Sequence, residues 1–301
     1  MVALLVGVAI VKLEAASGRG PVAGRGSASL LAGVGQGGGK SPADSEQVAV
    51  PGTALAAHSC IAFAPLGPDR GQTVFVDPGH GGPDPGAGAN SVQEETATLA
   101  VGQELAKRLR ADGYRVVLSR VGDSSVAALP ASAIGDSGIT VTGVHLENQA
   151  RMACANAAAA DLLVAIHFNA FDDPSVGGAE TIYDDVRPFA DRNLRLAKLV
   201  QASLVASFSA RGWQVPDRGV QTDAAAGTPA LSGAGQAYGR LMELGPAQPG
   251  FVDHPSQMPG VVVEPLFLTR PAEAAVAADP TGQAAMAEGL RQGIEKFLSG
   301  A

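Results

Sequence analysis

A chain of 301 residues, 46% hydrophobic and 17% charged, has the make-up of a globular protein with one substantial core, which excludes disorder throughout. A net charge of −8 and a pI near 5.1, with no local cluster of Lys and Arg, exclude electrostatic capture of nucleic acid.

In chain order, the opening MVALLVGVAIVK holds an apolar run of ten residues, about half of the ~20 that a membrane-spanning helix needs. A stable transmembrane span is therefore excluded there. Followed by Glu14-Ala15-Ala16-Ser17, the run suits a secretory segment over residues 1–17, although the usual positive n-region is missing. The alternative is an ordinary N-terminal strand or helix of a cytoplasmic protein. Residues 18–72, including GVGQGGGKSPADS, have the Gly, Ala, Ser and Pro content of a flexible linker. The folded domain is expected over 73–301. Cys60 and Cys154 fit neither a zinc ribbon nor a disulfide-rich scaffold; two unrelated thiols are expected, with one disulfide as the alternative in an exported protein.

Strand-like and helix-like segments alternate from there on. Residues 73–76 read as a short strand. Residues 94–110 put Ala97, Val101, Leu105 and Leu109 on one helical face, and Gly113 stands where a left-handed residue ends the helix. YRVVLS at 114–119 is a second strand, the Ala-rich stretch 147–159 a helix, and DLLVAIH at 161–167 a third strand apolar enough for burial on both faces. A fourth strand is expected over 177–183. The longest helix is expected over 189–211, with Ala197, Val200, Leu204 and Phe208 on one side and Gly212 behind it. Residues 239–244 and 260–264 read as further strand, and 283–298 as a closing helix bearing Met286, Leu290, Ile294 and Phe297. This alternation predicts a single α/β domain with a twisted, mostly parallel sheet and helices on both faces. No internal repeat is visible.

Ligands of an open α/β sheet sit beyond the carboxyl ends of its strands. His80 follows the first strand by three residues in 74-VFVDPGHGGPDPGA-87, His167 ends DLLVAIH, and Glu264 ends GVVVE. Glu94 and Glu95 open the helix that returns from the first strand, on the same rim. Each has a plain structural alternative: a turn-bonded or carbonyl-bonded imidazole, or acids that complement a helix dipole. Glu264 resists that alternative, because a carboxylate directly after three valines is costly to bury unless a cation or hydrogen bonds meet it. Two histidines and a glutamate also make the donor set that holds catalytic zinc and keeps a fourth position open for water. Residue chemistry alone does not separate Glu94 from Glu95. Asn169 is a candidate for hydrogen-bonding substrate or for an Asx-turn. Asp77 is expected to orient a ligand imidazole and Asp84 to make a turn; His58, His145 and His254 are expected in solvent.

The motifs HGGPDPGA (80–87), Glu94 opening a helix, ADLLVAIHFNA (160–170) and MPGVVVEPLF (258–267) resemble, in order and spacing, the zinc-dependent N-acetylmuramoyl-L-alanine amidases, the family that cleaves peptidoglycan. The resemblance covers roughly residues 72–299. It implies one zinc ion held by His80, Glu94 and His167, with Glu264 as the catalytic carboxylate, a peptidoglycan substrate, and export to the cell envelope or beyond. Glu94 is taken over Glu95 on its distance to Leu99 in the family pattern, and Arg151 falls on a family position of structural character. Where the family often reads Gly-Phe after the last glutamate, this chain has Pro265, with Phe267 two residues later, so a backbone donor is missing beside the catalytic group. The stretches 122–146 and 219–259 exceed what the family core needs. A monomer is the default expectation. Two other readings compete: a zinc carboxypeptidase, in which Arg218 or Arg240 would hold a terminal carboxylate, and a non-catalytic regulator, which would lack a ligand or the catalytic carboxylate.

Overall fold

The structure, a computed structural model, describes residues 45–136, 138–226 and 232–300. The proposed secretory segment 1–17 and the first part of the expected linker lie outside the described residues. Eight strands form one sheet: β1 (Ser45–Gln47), β2 (Ser59–Phe63), β3 (Thr73–Pro78), β4 (Arg115–Arg120), β5 (Leu162–Ile166), β6 (Ala179–Tyr183), β7 (Asp217–Thr222) and β8 (Gly260–Glu264). Their spatial order is β1-β2-β4-β3-β5-β8-β6-β7. The four central strands β4, β3, β5 and β8 run parallel, and the sheet turns antiparallel at β2–β4 and β8–β6. The strands β3, β5 and β8 are thus consecutive neighbours with their carboxyl ends on one edge, which sets the residues that follow them side by side.

Five helices cover the sheet: α1 (Glu94–Ala111), α2 (Val141–Ala157), α3 (Ala190–Ser209), α4 (Pro271–Ala278) and α5 (Pro280–Leu298). Every apolar position read from the spacing of α1, α3 and α5 is buried. Those side chains pack on Val74, Val76, Val164, Ile166, Val261 and Val263 of one sheet face. The opposite face, built on Phe75, Val117, Leu163, Ala165 and Val262, is covered by Cys154 and Ala155 of α2. Burial on both faces explains the near-continuous apolar runs of the central strands. The helices α3 and α5 approach closely because Gly289 and Gly293 face Leu204 and Val200, where an added Cβ would stand 2.7 and 2.6 Å from their Cα atoms.

The structure departs from the sequence reading at identifiable places. Within the expected linker, β1 and β2 join the sheet, β2 pairing with β4. Helix α2 begins six residues earlier than its Ala-rich run, because the Thr140 side chain caps it by accepting from the amide of Gly143 at 3.2 Å. Residues 239–244 make turns, with Leu244 and Gly245 both donating to the carbonyl of Leu241. The extra strand on that side is β7, whose polar sequence DRGVQT suits its place at the sheet edge. Cys60 and Cys154 form a disulfide across 94 residues, tying β2 to α2; the expectation of two unrelated thiols is corrected.

Closing a loop of that length restricts the unfolded chain, so Cys60→Ala/Cys154→Ala is expected to lower the unfolding free energy by about 2–4 kcal/mol. Urea denaturation of the variant beside the parent, with and without reductant, measures it. Unrelated thiols would give a parent indifferent to reductant.

Candidate metal centre

Gly79 and His80 extend β3 into a loop in which His80 itself takes a left-handed backbone, φ 61°. Gly79 has no room for a side chain: a Cβ there would lie 2.3 Å from Cε1 of His167. Gly86, at φ 65°, brings the loop against Glu94 and His80, where a Cβ would come within 2.7 Å of both side chains. The Gly-Pro-Asp composition of this loop therefore serves close approach as well as turning.

These contacts bring three donor atoms together. His80 Nε2 lies 3.0 Å from Glu94 Oε1, His167 Nδ1 lies 3.2 Å from the same oxygen, and the two imidazole nitrogens are 3.1 Å apart. The Glu94 carboxylate is fixed from behind, since Oε1 accepts from the amide of Phe168 at 2.9 Å and Oε2 from that of Ala87 at 2.8 Å. Burial opposes ionisation of Glu94, yet the imidazoles of His80 and His167 override it and hold the carboxyl well below the usual range. Burial opposes the charged form of His80, but Glu94 and Asp84 outweigh it and push the imidazole well above its usual range. Glu95, one residue on, is only partly buried and is not part of this convergent group.

His80, Glu94 and His167 are one of two groups among the described residues whose ligand atoms converge closely enough to hold a metal ion. Donors at 2.0–2.1 Å from a tetrahedral ion stand roughly 3.3 Å apart, close to the separations found here. The other group, Asp184, Asp185 and Asp223, already surrounds the guanidinium of Arg240. The first group fits an ion; the second is answered by a cation of the chain itself.

Glu264 lines the same cleft as His80 and His167. It is 2% exposed, and its Oε2 is buried without a hydrogen-bond partner. Burial, reinforced by the Glu94 and Glu180 carboxylates, pushes its carboxyl well above the usual range. Pro265 leaves no donor unanswered: His167 and Asn169 donate to the carbonyls of Val263 and Leu266, so the pairing of β5 with this segment passes over residue 265.

Two expectations exchange places. Asp84, read as a turn residue, meets Nδ1 of His80 at 3.0 Å. Asp77, read as the partner of an imidazole, pairs instead with Arg151. Arg151 also donates to the carbonyl of His80 at 2.8 Å and to Glu147 at 3.3 Å, and Glu147 accepts from the amides of Val126 and Ala127. Asn169 is buried and donates to Glu180 at 2.6 Å, which removes it from the substrate side. His145, expected in solvent, stacks on Phe251 with ring centroids 4.9 Å apart and lines the cleft. His254 is exposed.

Sequence reasoning passed over Arg120 and Glu243. Arg120 is fully buried and donates to the carbonyls of Pro78, Gly79 and Glu95 at 3.0, 2.9 and 2.6 Å, pinning the loop to α1. Its signal was a charged residue continuing an apolar strand, YRVVLSR. Glu243 lies buried on the cleft wall, where burial and the Asp77 carboxylate push it well above the usual range; nothing in its turn-rich neighbourhood marks it.

An open α/β sheet carrying two imidazoles and a carboxylate at its carboxyl edge has the donor set of a single-metal hydrolase. A model of the Amidase_3 family, N-acetylmuramoyl-L-alanine amidase, matches residues 74–296, and the chain belongs to that family. It is 31% identical over 207 residues to N-acetylmuramoyl-L-alanine amidase LytC of Bacillus subtilis (strain 168), covering 69% of this chain and 32% of LytC. The chain thus spans about a third of LytC. It is 25% identical over 232 residues to the germination-specific N-acetylmuramoyl-L-alanine amidase of the same organism, covering 77% of this chain and 82% of that one. Among solved structures it resembles the CwlD amidase from Clostridioides difficile, determined in complex with the GerS lipoprotein. That likeness has 25% identity and a TM-score of 0.58, over 76% of this chain and 100% of CwlD.

If the three convergent donors hold a divalent ion, Glu94→Gln should weaken metal affinity by more than the roughly 10–100-fold expected for loss of a supporting group. Glu95→Gln should leave it unchanged. Gly79→Ala, which drives a methyl into the His167 ring, should behave like Glu94→Gln. Metal content after dialysis against graded chelator reads all three.

Proposed function

We propose that this chain hydrolyses the amide bond between the lactoyl group of N-acetylmuramic acid and L-alanine in peptidoglycan, with one zinc ion held by His80, Glu94 and His167 and with Glu264 as the proton-transfer group. The observation that carries this reading is the meeting of His80 Nε2, His167 Nδ1 and Glu94 Oε1 within 3.0–3.2 Å, beside a buried carboxyl with an unpartnered oxygen. Family membership supplies the substrate class.

When bound, zinc supplies Lewis acidity that makes water a usable nucleophile near pH 7 and balances negative charge on the attacked carbonyl. The residues of the chain do the rest. Glu94, with both oxygens held by backbone amides, and the imidazoles of His80 and His167 would fix one position for the ion. Asp84 at Nδ1 of His80 sets which ring nitrogen carries the proton, leaving Nε2 as the ligand atom. Glu264 takes the proton from the attacking water at a carboxyl oxygen and returns it to the departing amine, without which the amine is a poor leaving group. Its high proton affinity suits the second half of that exchange.

The carboxypeptidase reading finds less support. Arg218 is engaged by Glu180 at 3.0 Å, and Arg240 by three aspartates at 2.8–3.0 Å, so neither stands ready for a terminal carboxylate. The regulator reading expects a missing ligand or carboxylate, and His80, Glu94, His167 and Glu264 are all present. Export to the cell envelope fits both the substrate and the buried Cys60–Cys154 disulfide, a bond that persists in oxidising compartments. No helix among the described residues is long and apolar enough to cross a membrane.

Glu264→Gln is expected to keep its zinc and lose turnover by about 10²–10⁴-fold, measured as kcat on muropeptides beside zinc content. With the parent protein, mass spectrometry of the products should show stems beginning with a free L-alanine and no released D-amino acid. Release of a D-amino acid would instead establish a carboxypeptidase.

A further inference from the structure

The cleft that leads to the metal site has a volume of about 380 Å³. Val141 and Val144 of α2 form one wall, and Leu241, Met242 and Phe251 form the facing one. Two of the carboxyl groups that line it are answered within the chain: Asp84 meets His80, and Glu147 accepts from the amides of Val126 and Ala127 and pairs with Arg151. Glu264 carries the proton transfer proposed above. Glu243 also lines this cleft, only 6% exposed, and no step of that reaction involves it.

The backbone that bears Glu243 is held tightly. The Ser256 hydroxyl donates to the Glu243 carbonyl at 2.8 Å, Arg187 donates to the carbonyls of Gly245 and Ser256, and Leu244 anchors the same turn in the core. The side chain is thereby delivered to a fixed place, where its Oε2 is buried without a hydrogen-bond partner among the described residues. Such an oxygen is costly unless something answers it. The Asp77 carboxyl lies within hydrogen-bonding reach of Glu243, and two carboxyls bond only through a proton that one of them carries. At Asp77, burial opposes ionisation, but the Arg151 guanidinium overrides it and holds the carboxyl below its usual range. At Glu243, burial and the Asp77 carboxylate push the carboxyl well above it, against the pull of Arg151. The proton between them therefore belongs to Glu243. Asp77 also meets Arg151 and the Ser119 hydroxyl, and a carboxylate has about four acceptor sites, enough for all three. A carboxyl that spends one oxygen on Asp77 keeps the other for the cleft it lines.

Resting on the amidase reading above, we infer that Glu243 binds substrate: its neutral carboxyl donates to Asp77 and presents its other oxygen to an amide N–H of the peptide stem. A stem amide that enters the cleft loses water and needs such an acceptor. The apolar walls on either side suit the alkyl parts of a stem better than the hydroxyl groups of a glycan.

The test compares the zinc-loaded parent protein, Glu243→Leu and Glu243→Gln on one muropeptide, with zinc content and thermal unfolding read beside the kinetics. Leu keeps neither hydrogen bond and should raise KM about tenfold, with kcat and zinc content unchanged. Gln keeps an N–H for Asp77 and a carbonyl oxygen for the cleft, so it should recover most of that loss. A second arm methylates in turn the nitrogen of each stem amide beyond the scissile one and reads binding of the released stem peptides by calorimetry. One position should cost the parent and the Gln variant about tenfold and the Leu variant nothing, because there the hydrogen bond is already gone. A group that only supports the fold gives no such non-additivity. A Gln variant as impaired as Leu, an unchanged KM in Leu, or methylation costs shared alike by all three proteins would overturn the inference. If the Leu variant does not fold, the parent and Gln decide it, and a scan in which no methylation weakens their binding overturns it. If the calorimetric pattern stands while no muropeptide is cut, the amidase reading fails alone; if muropeptides are cut and the pattern is absent, this inference fails alone.

Discussion

Glu94 presents one oxygen to two imidazoles and to the amide of Phe168, and the other oxygen to the amide of Ala87. Everything else at the site depends on that carboxylate being held still. A flexible glutamate would lose rotamer freedom on taking up a ligand; one already clamped by two amides at the start of a helix has lost it on folding. The clamp also joins distant parts of the chain, because Ala87 belongs to the loop after β3 and Phe168 follows β5. The parallel order β3–β5–β8 delivers these parts to one edge, and the helix that begins at Glu94 closes the group.

Behind the donors stands a set of buried charges that keeps the His80 loop in place. Arg151 reaches from α2 to Asp77 and the carbonyl of His80, and Arg120 reaches from β4 to the carbonyls of Pro78 and Gly79. These contacts from outside the loop add to its own Asp84–His80 contact in holding a left-handed histidine, a conformation uncommon outside glycine. The Cys60–Cys154 bond sits one turn further along α2 from Arg151, so the first strands of the described chain brace the same helix that braces the loop. Loss of either guanidinium would leave uncompensated carboxylates or carbonyls in a dry interior, which is where breaking a buried charge pair is most costly.

The central architecture was legible because hydrophobic spacing reports burial directly. Ala97, Val101, Leu105 and Leu109, and the runs around Val74, Leu162 and Val261, announced the elements that carry the site, and the rule for ligands of open sheets pointed to their carboxyl ends. What escaped was set by contacts rather than by period. Strand β1 has three residues and β7 is polar, while β2, SCIAF, is apolar but stands inside a stretch whose Gly, Ala, Ser and Pro content reads as linker. Helix α2 starts early on a threonine cap that its sequence does not advertise. Glycine at 79 and 86 looked like turn chemistry, and its use in close packing depends on where His167 and Glu94 arrive. Asp77 and Asp84 could not be told apart by sequence, since which of them meets an imidazole depends on the reach of Arg151 from a helix seventy residues away in the chain.

X-ray absorption at the zinc K-edge of the zinc-loaded protein tests the central claim most directly. The account predicts a four-coordinate shell of nitrogen and oxygen at about 2.0–2.2 Å, with the multiple scattering of two imidazole rings. A sulfur shell at about 2.3 Å, a spectrum with a single imidazole, or an all-oxygen shell would contradict it.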